Sequence, residues 1–130
     1  EIDTAMVKGI SLSTQGGTLI STDENGVALC PAILWSDARC AKERELLLDN
    51  LAKEEIYNKT GWNLGNGLNL LQILWLKNNR PDIFNKAAYF LSVHDYISMR
   101  LTGRPAIDAS NAGINQLMDI NELKWDKRGG

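Results

Sequence analysis

Five groups of residues in this chain have types and spacings that could do chemistry: Gly16-Gly17, Trp35, Asp37 with Arg39, His94-Asp95, and the thiols Cys30 and Cys40. A glycine pair can cradle a phosphate, but such a cradle needs a turn that opens onto a helix N-terminus. Here Gly16-Gly17 runs into Thr18-Leu19-Ile20-Ser21, which reads as a strand, and no GxxxxGK[ST] run occurs. Two adjacent glycines at such a place mark a bend or a close backbone approach, and a ligand can be what approaches. Trp35 ends an apolar run just ahead of a helix start, a place open to a core aromatic and to a pocket-lining one. Asp37 and Arg39 at that helix start read as dipole compensation and surface charge. His94-Asp95 offers an acid/base pair, yet Asp95 reads as a cap for the helix it opens, and no serine or cysteine nucleophile accompanies the histidine. His94 is the sole histidine, and the two cysteines form no CxxC pair, so transition-metal ligands are nearly lacking. Both thiols read as reduced and structural, which points to the cytoplasm.

Composition narrows the function classes. The 130 residues are 44% hydrophobic and 23% charged with a net charge of -2, which is the profile of a globular domain without the basic footprint of a nucleic-acid binder. Nucleic acid and membrane are therefore excluded as expected partners: no apolar run approaches the ~20 residues of a membrane helix. No basic n-region followed by an apolar h-region opens the sequence, and a piece starting mid-protein would have lost such a leader.

The elements that must position these residues follow from periodicity and punctuation. Residues 7–14 alternate around Ile10 and Leu12 and predict a strand. Thr18–Ser21 and Val27–Leu29 flank Asp23-Glu24-Asn25-Gly26, a hairpin with Gly26 as its left-handed residue. Pro31 leads into the short apolar run Ala32-Ile33-Leu34-Trp35. Ser36 predicts an N-cap, and Ala41, Leu47, Leu48, Leu51 and Ile56 recur at helical spacing to about Tyr57, with Gly61 as the stop. After a loop rich in glycine and asparagine, Leu68, Leu70, Leu71, Leu74 and Trp75 predict a second helix, ended by Asn79-Arg80-Pro81. Pro81 starts a short third helix reaching Lys86. Tyr89–Ser92 predicts a buried strand, Val93–Leu101 a helix closed by Gly103, and residues 106–108 and 115–119 two short strands around a Ser110–Gly113 loop. Strands alternating with helices predict a layered α/β arrangement. Trp125–Gly130 breaks off without a further element and Glu1–Thr4 reads as feeding a strand, so the piece reads as cut on both sides.

Several strings in order resemble the N-terminal domain of FGGY carbohydrate kinases, the group holding xylulokinase, gluconate kinase and glycerol kinase. They are Gly9-Ile10-Ser11-Leu12-Ser13-Thr14-Gln15, Pro31 through Arg39, Lys59-Thr60-Gly61, Leu74-Trp75 through Phe84, His94-Asp95-Tyr96-Ile97, Arg100-Leu101-Thr102-Gly103, Asp108-Ala109-Ser110-Asn111-Ala112, and Trp125. The resemblance implies that residues 1–130 are a partial sugar-binding domain of an actin-like, RNase H-like ATPase fold. It implies an enzyme, used with ATP and Mg²⁺, that moves the γ-phosphoryl group to a sugar or polyol hydroxyl. The family's catalytic Asp would follow the Trp125 region and its phosphate-contacting hairpin would precede Glu1, so no residue here is assigned a catalytic role and the piece alone is expected to be inactive.

What the resemblance assigns to this chain is a substrate-binding wall. Gln15-Gly16-Gly17 takes the place of Gln-Arg-Glu in glycerol kinase and Gln-Met-His in xylulokinase, so two side chains are missing. Trp35 matches an aromatic packed on the acceptor's carbon chain, and Asp37 and Arg39 match a recurrent Asp-x-Arg near the site. Gly67 stands where glycerol kinase has a tyrosine, and Asn69 and Gln72 stand where Ser, Thr or Pro and then Lys are usual. A glycine-lined wall points to an acceptor bulkier than glycerol. Two other readings use the same residues: a non-catalytic sugar-binding or regulatory module, and self-association as a homo-oligomer through an exposed strand edge.

Overall fold

The computed structural model describes residues 3 to 126. Its first ordered feature after the Thr4–Met6 turn is the hairpin, and local chemistry builds it. The Asp23 carboxylate accepts the N–H groups of Asn25 and Val27 at 2.9 and 2.8 Å, while Gly26 takes φ 74° as that turn demands. Thr22 then bridges Ala28, and Leu19 bridges Ile33 through a reciprocal pair of 2.9 Å bonds. Strand β1 (Ile20–Thr22) pairs antiparallel with β2 (Tyr89–Leu91), Ile20 facing Leu91 and Thr22 facing Tyr89.

Helix α1 (Ala41–Asn50) and α2 (Lys53–Thr60) follow, then α3 (Asn69–Asn79) and the single turn α4 (Pro81–Phe84), which Pro81 opens as expected. After β2 come α5 (Val93–Thr102) and α6 (Ala109–Ile114), then β3 (Met118–Asp119) paired antiparallel with β4 (Lys124–Trp125). Helix α3 is the spine. One side packs into a core of Leu19, Ile33, Leu76 and Ile83, and the other into a core of Cys40, Leu64 and Leu71, with Trp75 touching both. Burying α3 on two sides explains why six of its seven positions from Leu70 to Leu76 are apolar and only Gln72 is not.

Three sequence expectations fail, each for a tertiary or capping reason. Residues 7–14 carry the alternation of a strand but pair with no described strand, and Val7 and Ile10 stand exposed; alternation is a sheet-face pattern and needs a partner to become a ladder. The helix expected from Ser36 to Tyr57 starts only at Ala41, because Asp37 N–H bonds Leu34 O and the Asp37 carboxylate takes Arg39 N–H, local bonds that compete with a helix. That helix also breaks at Leu51-Ala52, both extended, which lets Ile56 as well as Leu47 and Leu48 reach the second core. Finally, the Ser110–Gly113 loop is helix α6: Asp108 accepts N–H bonds from Ser110 and Asn111, both 3.0 Å, and turns the expected strand 106–108 into an N-cap. Of the expected strand 115–119 only Met118–Asp119 pairs.

Candidate functional site

The expected wall residues lie on three segments that meet above the N-terminal end of α3: the turn ahead of β1, the turn after Ile33, and the loop before α3. The Leu19–Ile33 bridge sets the first two side by side. Gly17, at φ 75°, has the Gly67 carbonyl oxygen 2.9 Å and the Trp35 Cβ 3.1 Å from where its own Cβ would stand. At Gly67 a Cβ would run into the Trp35 carbonyl. Glycine at 17 and 67 is thus required by three backbones in contact, and the space that side chains there would take is filled by protein. At Gly67, where the resemblance marks a missing side-chain contact, the space is taken by the Trp35 backbone. Gly16 differs, since its neighbours are only the Ile114 side chain, at 3.1 Å from a Cβ.

The Trp35 ring is carried on this junction, and the residue is 58% exposed. An indole open to solvent beside a close backbone contact offers an apolar face to C–H groups, and within the described residues Trp35 is not a core side chain. Gln15 donates from Nε2 to Thr18 Oγ1 at 3.0 Å, a bond that uses one amide hydrogen and leaves its second N–H and its amide oxygen outside it. Asp37 and Arg39 bind each other, with Arg39 Nη2 donating to Asp37 Oδ2 at 2.7 Å. Arg39 also lies 4.8 Å over the Trp75 ring. The Arg39 side chain and backbone N–H hold the Asp37 carboxyl below the ordinary carboxylate range. Both side chains remain partly open to solvent, so a fixed acceptor and a fixed donor stand two and four residues beyond Trp35.

The residue whose role sequence reasoning missed is Gln72. It is fully buried on α3, and its Nε2 lies 3.0 Å from Gly17 O, 3.1 Å from Leu34 O and 3.4 Å from Gly67 O. One amide therefore touches all three segments of the wall. Gln116, at φ 61°, does the same for the preceding loop, donating to Asn63 O at 3.1 Å and Trp62 O at 3.4 Å. The signal was an amide inside Leu-Leu-Gln-Ile-Leu, a polar group in an otherwise apolar helix.

Other places in the molecule offer less. A cavity of about 320 Å³ between α1, α2 and α3 is walled by Leu47, Leu51, Ile56, Leu70, Leu74 and Leu117 and touches none of the expected wall residues. Gly16-Gly17 leads into β1 rather than a helix, as expected, so it forms no phosphate cradle. His94 and Asp95 do not act together: Asp95 completes a capping box with Ser92 at the start of α5. Both cysteines are free thiols, and burial pushes Cys40 up to about 11. Among the described residues no three His, Cys, Asp or Glu side chains gather as a metal set, and no helix is long and apolar enough to cross a membrane.

Comparison with known proteins places this geometry. The model of the FGGY family of carbohydrate kinases, N-terminal domain, matches residues 1–128. The chain is 33% identical over 119 residues to a xylulose kinase of Lactococcus lactis, covering 92% of this chain and 24% of that protein. It is 31% identical over 125 residues to an L-fuculokinase of Haemophilus influenzae, covering 96% of this chain and 27% of that one. Among solved structures, Plasmodium falciparum glycerol kinase with ADP superposes with a TM-score of 0.82 at 30% identity, over 88% of this chain and 24% of that chain. The chain thus spans about a quarter of the length of the relatives it matches.

Proposed function

This chain belongs to the FGGY family of carbohydrate kinases, with the α/β fold of that family's N-terminal domain, and from that membership we propose that the whole protein transfers the γ-phosphoryl group of ATP to a hydroxyl of a sugar or polyol. Residues 1–130 are, on this reading, part of the sugar-binding domain, and their share of the work is to hold the acceptor. The observation that carries it is the junction of Gly17, Gly67 and Trp35, which presents an exposed indole on three closely packed backbone segments.

Phosphoryl transfer asks a protein mainly for positioning and charge stabilisation. Trp35 covers the C–H face of the acceptor and excludes water from it. Asp37, kept ionised by Arg39, accepts a hydroxyl hydrogen, while the free N–H groups of Arg39 and the Gln15 oxygen fix further hydroxyls. These contacts limit the rotation of the acceptor hydroxyl before attack. On the family reading the metal-bound nucleotide and the proton-accepting Asp belong to other parts of the whole protein, so no step through either is assigned to these residues. With Gly17 and Gly67 closed by backbone, the expectation of an acceptor larger than glycerol rests on Gly16 alone. We place the protein in the cytoplasm.

The test is Trp35→Ala in the whole protein across glycerol and five- and six-carbon sugars. The acceptor KM should rise about tenfold, the loss of one stacking contact, while the ATP KM changes little. An unchanged acceptor KM would remove Trp35 from the wall, and a preference for glycerol over the larger sugars would end the size assignment.

A further inference from the structure

We propose that Gln72 is the positioning residue of the acceptor wall: its buried amide sets the distance between the Gly16-Gly17 turn, the Trp35 turn and the Gly67 loop, and thereby how tightly the acceptor is held. The inference rests on the wall reading above. Three independent loops end in carbonyls that converge on one nitrogen, at 3.0, 3.1 and 3.4 Å. Those carbonyls belong to Gly17, Leu34 and Gly67, the residues that make or adjoin the Trp35 junction. Among the described residues no ladder joins the Gly67 loop to the other two segments, and the bridge between those two is Leu19 to Ile33. The Gln72 amide is the hydrogen-bonded link among the described residues that reaches all three.

The chemistry of the site makes the tie sensitive. An amide nitrogen carries two hydrogens and faces three acceptors, so the two shorter bonds are satisfied and Gly67 O receives the weakest. Gln72 Oε1 is buried with no protein partner among the described residues, so the side chain is retained at the cost of one unmet acceptor. An ammonium in the same place has three hydrogens for three carbonyls and no acceptor to leave unmet. That contrast separates a tie made by donors from one made by packing alone.

The experiment uses the whole protein with Gln72→Leu, Gln72→Lys and Trp35→Ala, reading acceptor KM, ATP KM, kcat and the thermal midpoint, with acceptor binding followed separately by calorimetry. Gln72→Leu keeps the volume and removes the donors, and it should raise acceptor KM and Kd about tenfold while ATP KM stays within about twofold. Gln72→Lys should bring the acceptor constants back to within about threefold of the parent protein. If Gln72→Leu does not fold, Gln72→Asn replaces it, too short to span the three carbonyls, with the same rise expected. Gln72→Leu or Gln72→Asn with unchanged acceptor constants, while Trp35→Ala raises them, overturns the tie and leaves the wall standing. ATP and acceptor constants worsening together with no recovery in Gln72→Lys also overturns it, by showing mere structural support. If Trp35→Ala has no effect either, the wall reading itself fails and the inference falls with it.

Discussion

At the scale of single residues, the site is decided by glycines that touch backbone and by one amide. Gly67 and Gly9 make the contrast: a Cβ at Gly67 meets the Trp35 carbonyl, whereas one at Gly9 meets nothing within 4 Å. Gly67→Ala should therefore cost about 2–3 kcal/mol through forced backbone movement, and Gly9→Ala less than about 0.5 kcal/mol. Thermal unfolding of the two variants in the whole protein checks this, and equal midpoints would count against the close approach. The thiols separate by the same logic. Cys40 is fully buried and its thiol is pushed up to about 11, chiefly by burial, while Cys30 is half-buried. Because the thiolate is the reactive form, iodoacetamide at neutral pH should label Cys30 first and Cys40 only after denaturant, as mass spectrometry of the digested chain would show.

At the scale of elements, caps determine where helices begin and end. Asp108 opens α6 by accepting two backbone N–H bonds and the Asn111 side-chain amide. Removing it in Asp108→Ala should cost about 1 kcal/mol. Its carboxyl is held below 3.8, chiefly by the Asn111 amide and then by the Asn111 and Ser110 N–H groups. A carboxyl whose folded value is depressed contributes stability that is whole above its unfolded value and is lost as pH falls through the folded one. The gap between parent and Asp108→Ala should thus be flat at neutral pH and close below pH 3.8. The helix ends behave alike: Gly61 and Gly103 sit at φ 73° and 77° as left-handed C-caps. Gly103 has no neighbour within 4 Å, but a Cβ on Gly61 would lie 3.0 Å from Ile120. Gly61→Ala should accordingly destabilise more than Gly103→Ala, whose cost is the left-handed strain of about 1 kcal/mol.

At the scale of the whole molecule, the chain makes its own helical core around α3 yet leaves a sheet pattern unsatisfied. Residues 7–14 alternate, and Val7 and Ile10 are more than half exposed. On the family reading this segment is a strand that pairs within the complete domain. Its amides should exchange freely in the isolated chain and become protected in the whole protein, and protection in neither would contradict that pairing. The isolated chain should also turn over no ATP, since on the proposed reading its residues supply only the acceptor wall and the catalytic Asp lies elsewhere in the whole protein. Sugar-dependent ADP release from rigorously purified chain with intact helical circular dichroism would contradict this.

Local chemistry was readable in the residues alone. The Asp23–Gly26 turn, the Pro81 start, the Gly61 and Gly103 stops and the Asp95 cap all appear where their side chains and φ preferences require, because each depends on neighbours within a few positions. The ordered family strings likewise fixed the wall residues Gln15, Gly16, Gly17, Trp35, Asp37, Arg39 and Gly67 as candidates. Tertiary structure alone decided the rest. It left residues 7–14 without a ladder, split the expected helix at Leu51-Ala52, and closed Gly17 and Gly67 on Trp35 while leaving its ring in water. It also turned Gln72 from a polar oddity into a three-way tie. The closure of Gly17 and Gly67 on Trp35 and the Gln72 bonds to Leu34 and Gly17 join groups 18 to 55 positions apart, and residues 7–14 lack a partner among the described strands; neither periodicity nor capping carries information over that range.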